Sequence, residues 1–157
     1  MLRVILMRHA KSSWKTDAPT DHARPLNKRG RKAAPKVAAQ LARMGWAPEL
    51  VVSSDSTRTR ETFARMELGV EAVFLEDLYH AGPEAVGPIL RAFHDKVTSV
   101  LLLGHNPGWE EVLTWLSGSD EELKTGCAAL LERDVERWAD AAGPGWQLRA
   151  MIRPREL

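Results

Sequence analysis

The sequence predicts a three-layer α/β/α fold around a central, mostly parallel sheet, and three observations predict it. Short continuous apolar runs, such as Val4-Ile5-Leu6-Met7 and Val100-Leu101-Leu102-Leu103, lack the alternation of a half-exposed strand, so they read as strands buried on both faces. Segments with apolar residues at helical spacing fall between these runs, the order that βαβ units require. No linker, internal repeat or low-complexity tract breaks the alternation, so the 157 residues read as one domain.

Each element has its own warrant. Val4 to Met7 is the first strand, and the polar stretch Lys11 to Arg24, with Pro19, reads as a long loop over a pocket. From about Asn27 to Met44, Ala34, Val37, Ala38 and Leu41 form a helical stripe; Pro35 conflicts with a straight helix and predicts a kink or a late start. Leu50-Val51-Val52 is a strand ending at Ser53-Ser54. A second helix starts near Asp55 or Ser56, both good caps, with a buried stripe of Thr59, Phe63 and Met66. Val73-Phe74-Leu75 is a third strand. Val86, Ile89, Leu90 and Phe93 mark the next helix despite Pro88, and Ser99 to Leu103 the next strand. Trp109, Val112, Leu113 and Leu116 mark a further helix, with Asn106 as its cap and Pro107 in its first turn. Cys127 to Leu131 and Gln147 to Ile152 read as closing strands joined through Gly143-Pro144-Gly145.

Composition narrows the function classes. Lys and Arg number 22 against 21 Asp and Glu, a net +1, so no global charge draws the chain to nucleic acid or a membrane. The aliphatic runs are too short to span a bilayer, and Arg8-His9 interrupts the first one too early for a secretory signal. Cys127 is the single cysteine, which forbids an intrachain disulfide and makes the cytoplasm the expected location.

Arg8-His9-Ala10 directly follows one apolar run, and Gly104-His105-Asn106-Pro107-Gly108 follows another. In open α/β sheets, ligands bind beyond the carboxyl ends of strands, so two histidines at two such ends predict one shared pocket. With Arg8 alongside, the set suits phosphoryl chemistry: an imidazole nucleophile, a guanidinium fork and a second imidazole. Other candidates have plainer readings. His94 reads as a helix C-cap, His22 as a loop residue near the mouth, and Lys28, Arg29, Arg31, Lys32 and Lys36 as a solvated basic face. Trp14 reads as shaping the pocket entrance and Trp109 and Trp115 as core. Asp17 with Asp21, and Asp120-Glu121-Glu122, read as surface charge without metal-ligand spacing.

Beyond these readings, Arg8-His9-Ala10, Arg24-Pro25-Leu26-Asn27 with Gly30, Ser53-Ser54 with Arg58-Thr59 and Thr62, Leu78-Tyr79, and Gly104-His105-Asn106-Pro107-Gly108 occur in one order. This ordered set resembles the histidine phosphatase (phosphoglycerate mutase-like) superfamily, and its wording resembles the small SixA-like phosphohistidine phosphatase branch. The resemblance implies a phosphatase that works through a phosphohistidine intermediate with no metal or cofactor. It makes His9 the nucleophile, Arg8 and Arg58 the ligands of the phosphoryl oxygens, and His105 the residue completing the pocket. Asn106 is a further candidate for the lining, and Arg24 either lines the pocket or anchors the loop in an ion pair. The surrounding cations are expected to hold His9 neutral.

The sequence departs from the larger relatives at their acid glutamate, whose nearest match is His80; Glu76 and Asp77 fall earlier in the turn. Imidazole, with a pKa of about 6.5, leaves far more readily than an alkoxide, so a pocket without a strong acid favours P–N over P–O substrates. The expected partner is a phosphorylated protein bearing phosphohistidine, or else a small phosphorylated metabolite. The alternatives are a phosphomonoester phosphatase on the same fold, a non-hydrolytic phosphohistidine carrier or phosphate-binding module, and a metallohydrolase.

Overall fold

The computed structural model describes residues Met1–Leu157. Six strands form one sheet in the order β3-β2-β4-β1-β5-β6. They are β1 (Leu2–Arg8), β2 (Leu50–Ser54), β3 (Ala72–Leu75), β4 (Ser99–Gly104), β5 (Ala128–Arg133) and β6 (Gln147–Ile152). The helices are α1 (Lys28–Arg43), α2 (Thr57–Met66), α3 (Pro83–Ala92) and α4 (Gly108–Ser117). Strands β3, β2, β4 and β1 pair in parallel, whereas β5 runs antiparallel to both β1 and β6. The mostly parallel sheet is as expected; the reversal of β5 has no mark in its own residues.

The period of two along each strand explains the three layers. Leu2, Val4 and Leu6 of β1 join Val100 and Leu102 of β4 in one core, closed by Val86 and Leu90 of α3 and Trp109, Val112 and Leu116 of α4. Ile5 and Met7 turn the other way, with Leu101 and Leu103, against Ala34, Val37 and Leu41 of α1. Burying an aliphatic side chain of this size contributes about 1.5–3 kcal/mol, and both faces of β1 and β4 do so at almost every position.

Two expectations about helix starts are corrected. Helix α1 begins at Lys28, capped by Asn27 Oδ1 accepting from Gly30 N at 2.9 Å, and runs on through Pro35. Pro35 lies inside the helix on its exposed side, so the start is not delayed past it. Asn106 does not cap α4: its Nδ2 donates to Leu123 O at 2.7 Å, and Pro107 occupies the cap position without a side-chain bond. Ser56, not Asp55, caps α2 by accepting from Thr59 N. The stripe of α2 also differs: Arg58, Thr59, Thr62 and Met66 are buried and Phe63 only partly so, because this face meets the functional cleft rather than a purely apolar core. His94 lies past the end of α3, where Phe93 is the cap, and its Nδ1 accepts from Lys96 N.

Two motif glycines are required by close approach. A Cβ on Gly30 would sit 2.1 Å from Lys11 O, and one on Gly108 would sit 1.7 Å from Ala81 O. Both obstacles are backbone, which cannot rotate away. Gly30→Ala and Gly108→Ala are each expected to lower unfolding free energy by about 1–3 kcal/mol, read by urea denaturation. Variants within about 0.5 kcal/mol of wild type would contradict this packing.

Candidate active site

The parallel register of β1 and β4 pairs Arg8 with Gly104, so the next residues, His9 and His105, emerge side by side at the carboxyl edge of the sheet. His9 N donates to Gly104 O at 3.0 Å, and the two imidazole centres lie 5.3 Å apart. Both rings are buried, at 4% and 7% exposure. Strand β2 ends beside them at Ser54, and the first turn of α2 brings in Arg58.

These residues border a cavity of about 280 Å³. Its walls hold His9, His105, Arg8, Arg24, Arg58 and Asn106, together with Lys11, Ser12, Trp14 and Thr125, and no carboxylate. His80, the nearest match to the acid position, is outside this lining: it is exposed, with its ring 4.2 Å from that of Tyr79. Glu76 and Asp77 are exposed in a 3-10 turn, also away from the cavity. Trp14 is 79% exposed at the mouth, with the Arg24 guanidinium 3.7 Å above its ring.

Hydrogen bonding assigns the His9 tautomer. His9 Nδ1 lies 2.7 Å from Ala10 O; a carbonyl only accepts, so Nδ1 carries the proton and Nε2 keeps a free lone pair. Ala10 is itself held, its N donating to Thr62 Oγ1 at 3.0 Å. His105 Nε2 lies 2.9 Å from Ser54 Oγ, which already accepts from Ser56 N. The Ser54 hydroxyl, with one proton and two lone pairs, can pair with either state of Nε2, and His105 Nδ1 is a buried atom with no protein partner.

Both imidazoles are held neutral. Burial is the main cause and pushes each pKa down to about 3; Arg58, Arg8 and Arg24 lower His9 further, and His9 and Arg58 lower His105. The neutral state expected for His9 therefore arises first from desolvation and only second from the cations.

The guanidiniums are positioned by groups that offset their charge only in part. Arg8 Nη1 donates to Leu123 O at 3.2 Å, and Arg8 Nε and Arg58 Nε are buried with no protein partner. Asp21 is not the plain surface charge its composition predicted. It accepts from Arg58 Nη2 at 3.1 Å, Arg24 Nε at 3.2 Å and the Tyr79 hydroxyl. These contacts, led by that of Tyr79, lower its pKa to about 2. One carboxylate thus serves two arginines, and Arg8 has none, so the cavity keeps net positive charge. Tyr79 also sets its ring edge-on to His105 at 5.3 Å and to His22 at 4.9 Å. His22 Nε2 reaches Asp55 Oδ1 at 2.8 Å, which ties the loop to the start of α2. Ser54 and the Asp21–Tyr79 pair escaped the sequence reading as functional groups; only the Ser53-Ser54 and Leu78-Tyr79 motif positions pointed to them. No three His, Cys, Asp or Glu side chains converge as metal ligands anywhere in the structure, and no helix is long and apolar enough to cross a membrane.

Fold and cleft together define an α/β protein with a cationic anion pocket at the carboxyl edge of its sheet. The family model of the histidine phosphatase superfamily, branch 1, matches residues 4–80. The candidate phosphohistidine phosphatase SixA of Agrobacterium tumefaciens is 30% identical, superposes with a TM-score of 0.83, and is covered over 98% of both chains. Its counterpart from Nakamurella multipartitia is 27% identical with a TM-score of 0.87, covering 98% of this chain and 96% of that one. An uncharacterised chloroplastic protein of Arabidopsis thaliana is 39% identical over 97% of this chain and 78% of its own length. The chain belongs to the histidine phosphatase superfamily, which places it among phosphatases.

Neutral buried histidines leave a signature in stability. Between about pH 6.5 and about pH 3, His9 and His105 bind protons in the unfolded chain but not in the fold. Acidification through that window therefore favours unfolding. The wild-type protein is expected to lose stability on going from pH 6.5 towards pH 4.5, before most carboxylates titrate. A His9→Gln/His105→Gln variant is expected to show a flatter profile in denaturant titrations. Parallel profiles for the two proteins would contradict the neutral assignment.

Proposed function

We propose that the protein is a metal-independent phosphatase that forms a phosphohistidine intermediate on His9, and that its substrate is phosphohistidine in another protein. The observation that carries the reading is the cavity lining: cations and two neutral imidazoles, with no carboxylate. His9 Nε2 attacks phosphorus with its lone pair as the bond to the leaving group breaks. Arg8 and Arg58, through Nε atoms that no protein group occupies, and His105 through Nδ1–H, take the equatorial oxygens on which charge spreads. Arg24 and Asn106 border the same space and complete its polar wall. The substrate ring is protonated on the nitrogen that does not carry phosphorus, so the displaced imidazole departs neutral and keeps that proton. Water then attacks the phosphorylated His9, releasing phosphate and restoring the free lone pair.

The lining supports a P–N substrate over a P–O one. A positioned general acid contributes about 10²–10⁴-fold to expulsion of a poor leaving group, and none stands in the cavity. A phosphorylated imidazole protonated on its other nitrogen leaves as the neutral base, the partner of an acid of pKa about 6.5, and needs no acid from the cavity. The SixA relatives support the same substrate class. A second reading, a small-phosphomonoester phosphatase on the same fold, is favoured by His80, whose exposed imidazole beside Tyr79 offers a proton donor close to the site.

The test is phosphate release from a phosphohistidine protein and from a panel of monoesters, with chelator present. Release from phosphohistidine is expected to exceed that from alkyl monoesters by about 100-fold or more in kcat/KM and to be unaffected by chelator. His9→Ala is expected to lose roughly three orders of magnitude or more in turnover while unfolding normally with heat. Preferred turnover of monoesters would move the substrate and keep the mechanism. Stoichiometric labelling of His9 without turnover would make the protein a carrier, and an active His9→Ala protein would sink the mechanism.

A further inference from the structure

We infer that a second cavity, of about 450 Å³, is a subsite for a second anionic group on the substrate, a carboxylate or phosphate beyond the one facing His9. This rests on the reading that the first cavity takes the reacting phosphoryl group. The two cavities share Arg8, Lys11 and Thr125 in their walls, so one ligand can occupy both. Arg29, Lys124 and Arg155 complete the charged lining: five of nine lining residues are cations and none is a carboxylate. The chain as a whole is balanced, 22 basic against 21 acidic residues, so this segregation is local.

Three of the nearby carboxylates are engaged elsewhere. Glu121 and Glu156 pair with Arg153, and Glu110 accepts from Leu123 N at 2.8 Å. Lys11, Arg29, Lys124 and Arg155 form no ion pair. A further cavity shares Lys124, Cys127 and Arg155 with this one and is bordered also by Arg153, Asp120, Glu121, Glu122 and Glu156. Four carboxylates there face three cations, so the excess of positive charge does not extend past Lys124 and Arg155.

The spacing of the two sites is fixed by backbone. Leu123 O accepts from both Arg8 and Asn106, and Gly126 N donates to His9 O at 2.8 Å, so Lys124 and Thr125 lie between two anchors on the catalytic residues. Gly126, at φ +78°, packs against the Pro154 ring, which carries Arg155 to the cavity wall. A preorganised second cation set discriminates substrates by what they carry next to the phosphoryl group. Two sources share that chemistry: an acidic side chain beside a phosphohistidine, or a second phosphate on a small metabolite.

The test compares Lys124→Gln/Arg155→Gln with Lys28→Gln/Lys32→Gln, which removes equal charge from α1 outside the cavity. In a His9→Ala background, calorimetry measures binding of inorganic phosphate and of tripolyphosphate, a readout that needs no turnover. The preference for tripolyphosphate is expected to fall about tenfold in the cavity variant and to hold in the control. Equal falls in both, or none, would overturn the subsite. With His9 intact, the kcat/KM loss is expected only for substrates with a second anion. Loss confined to a glutamate-flanked phosphohistidine peptide, against its glutamine-flanked twin, identifies a protein acid. Loss confined to a hexose bisphosphate, against the monophosphate, identifies a metabolite. Uniform loss across all four substrates would overturn the proposal. Failure of the phosphohistidine mechanism is read separately, as turnover that survives His9→Ala.

Discussion

The site depends first on the parallel pairing of β1 with β4. Their register sets Arg8 opposite Gly104 and delivers His9 and His105 as neighbours with ring centres 5.3 Å apart. A one-residue slip would turn every side chain of a strand to the opposite face. Both faces of these strands are apolar and fully packed, so such a slip would preserve burial while scattering the site. The backbone bond from His9 N to Gly104 O ties the two strand ends together. The same glycine lets α4 pack onto β4, since a Cβ there would lie 2.6 Å from the Trp109 indole.

Electrostatics then sets the character of the pocket. Burial keeps both imidazoles neutral, and the arginines are held by carbonyls and one shared carboxylate rather than by matched ion pairs. Leaving guanidinium donors unpaired in a buried site costs stability. The two apolar cores, each closing one face of the sheet, offset that cost. On the proposed mechanism this arrangement is useful because the donors are already aimed where phosphoryl charge develops, with no reorganisation when it does.

Much of this was legible in the sequence because it is written in short-range pattern. Unbroken apolar runs announced strands buried on both sides, and the helical stripes of α1, α3 and α4 announced what buries them. His9 and His105 were legible because each directly follows such a run. What escaped depends on distant partners. Asp21 meets Arg58 across 37 residues and Tyr79 across 58, and Ser54 meets His105 across 51; no local pattern marks those pairs. Asn106 was misread as a cap because its residue type fits one, whereas Leu123 O claims its amide. The polar buried face of α2 likewise defeats a reading by hydrophobic period, since Arg58 and Thr62 face the cleft. The antiparallel direction of β5 follows from topology alone.

The central claim is that His9 attacks through Nε2, because Ala10 O holds the proton on Nδ1. Rapid quench of the enzyme with a phosphoryl donor, followed by peptide mapping and ³¹P NMR of the adduct, reads the attacking atom directly. The account predicts one phosphorylated residue, His9, bonded at Nε2. A phosphoryl group on Nδ1 of His9, or on His105, would contradict it.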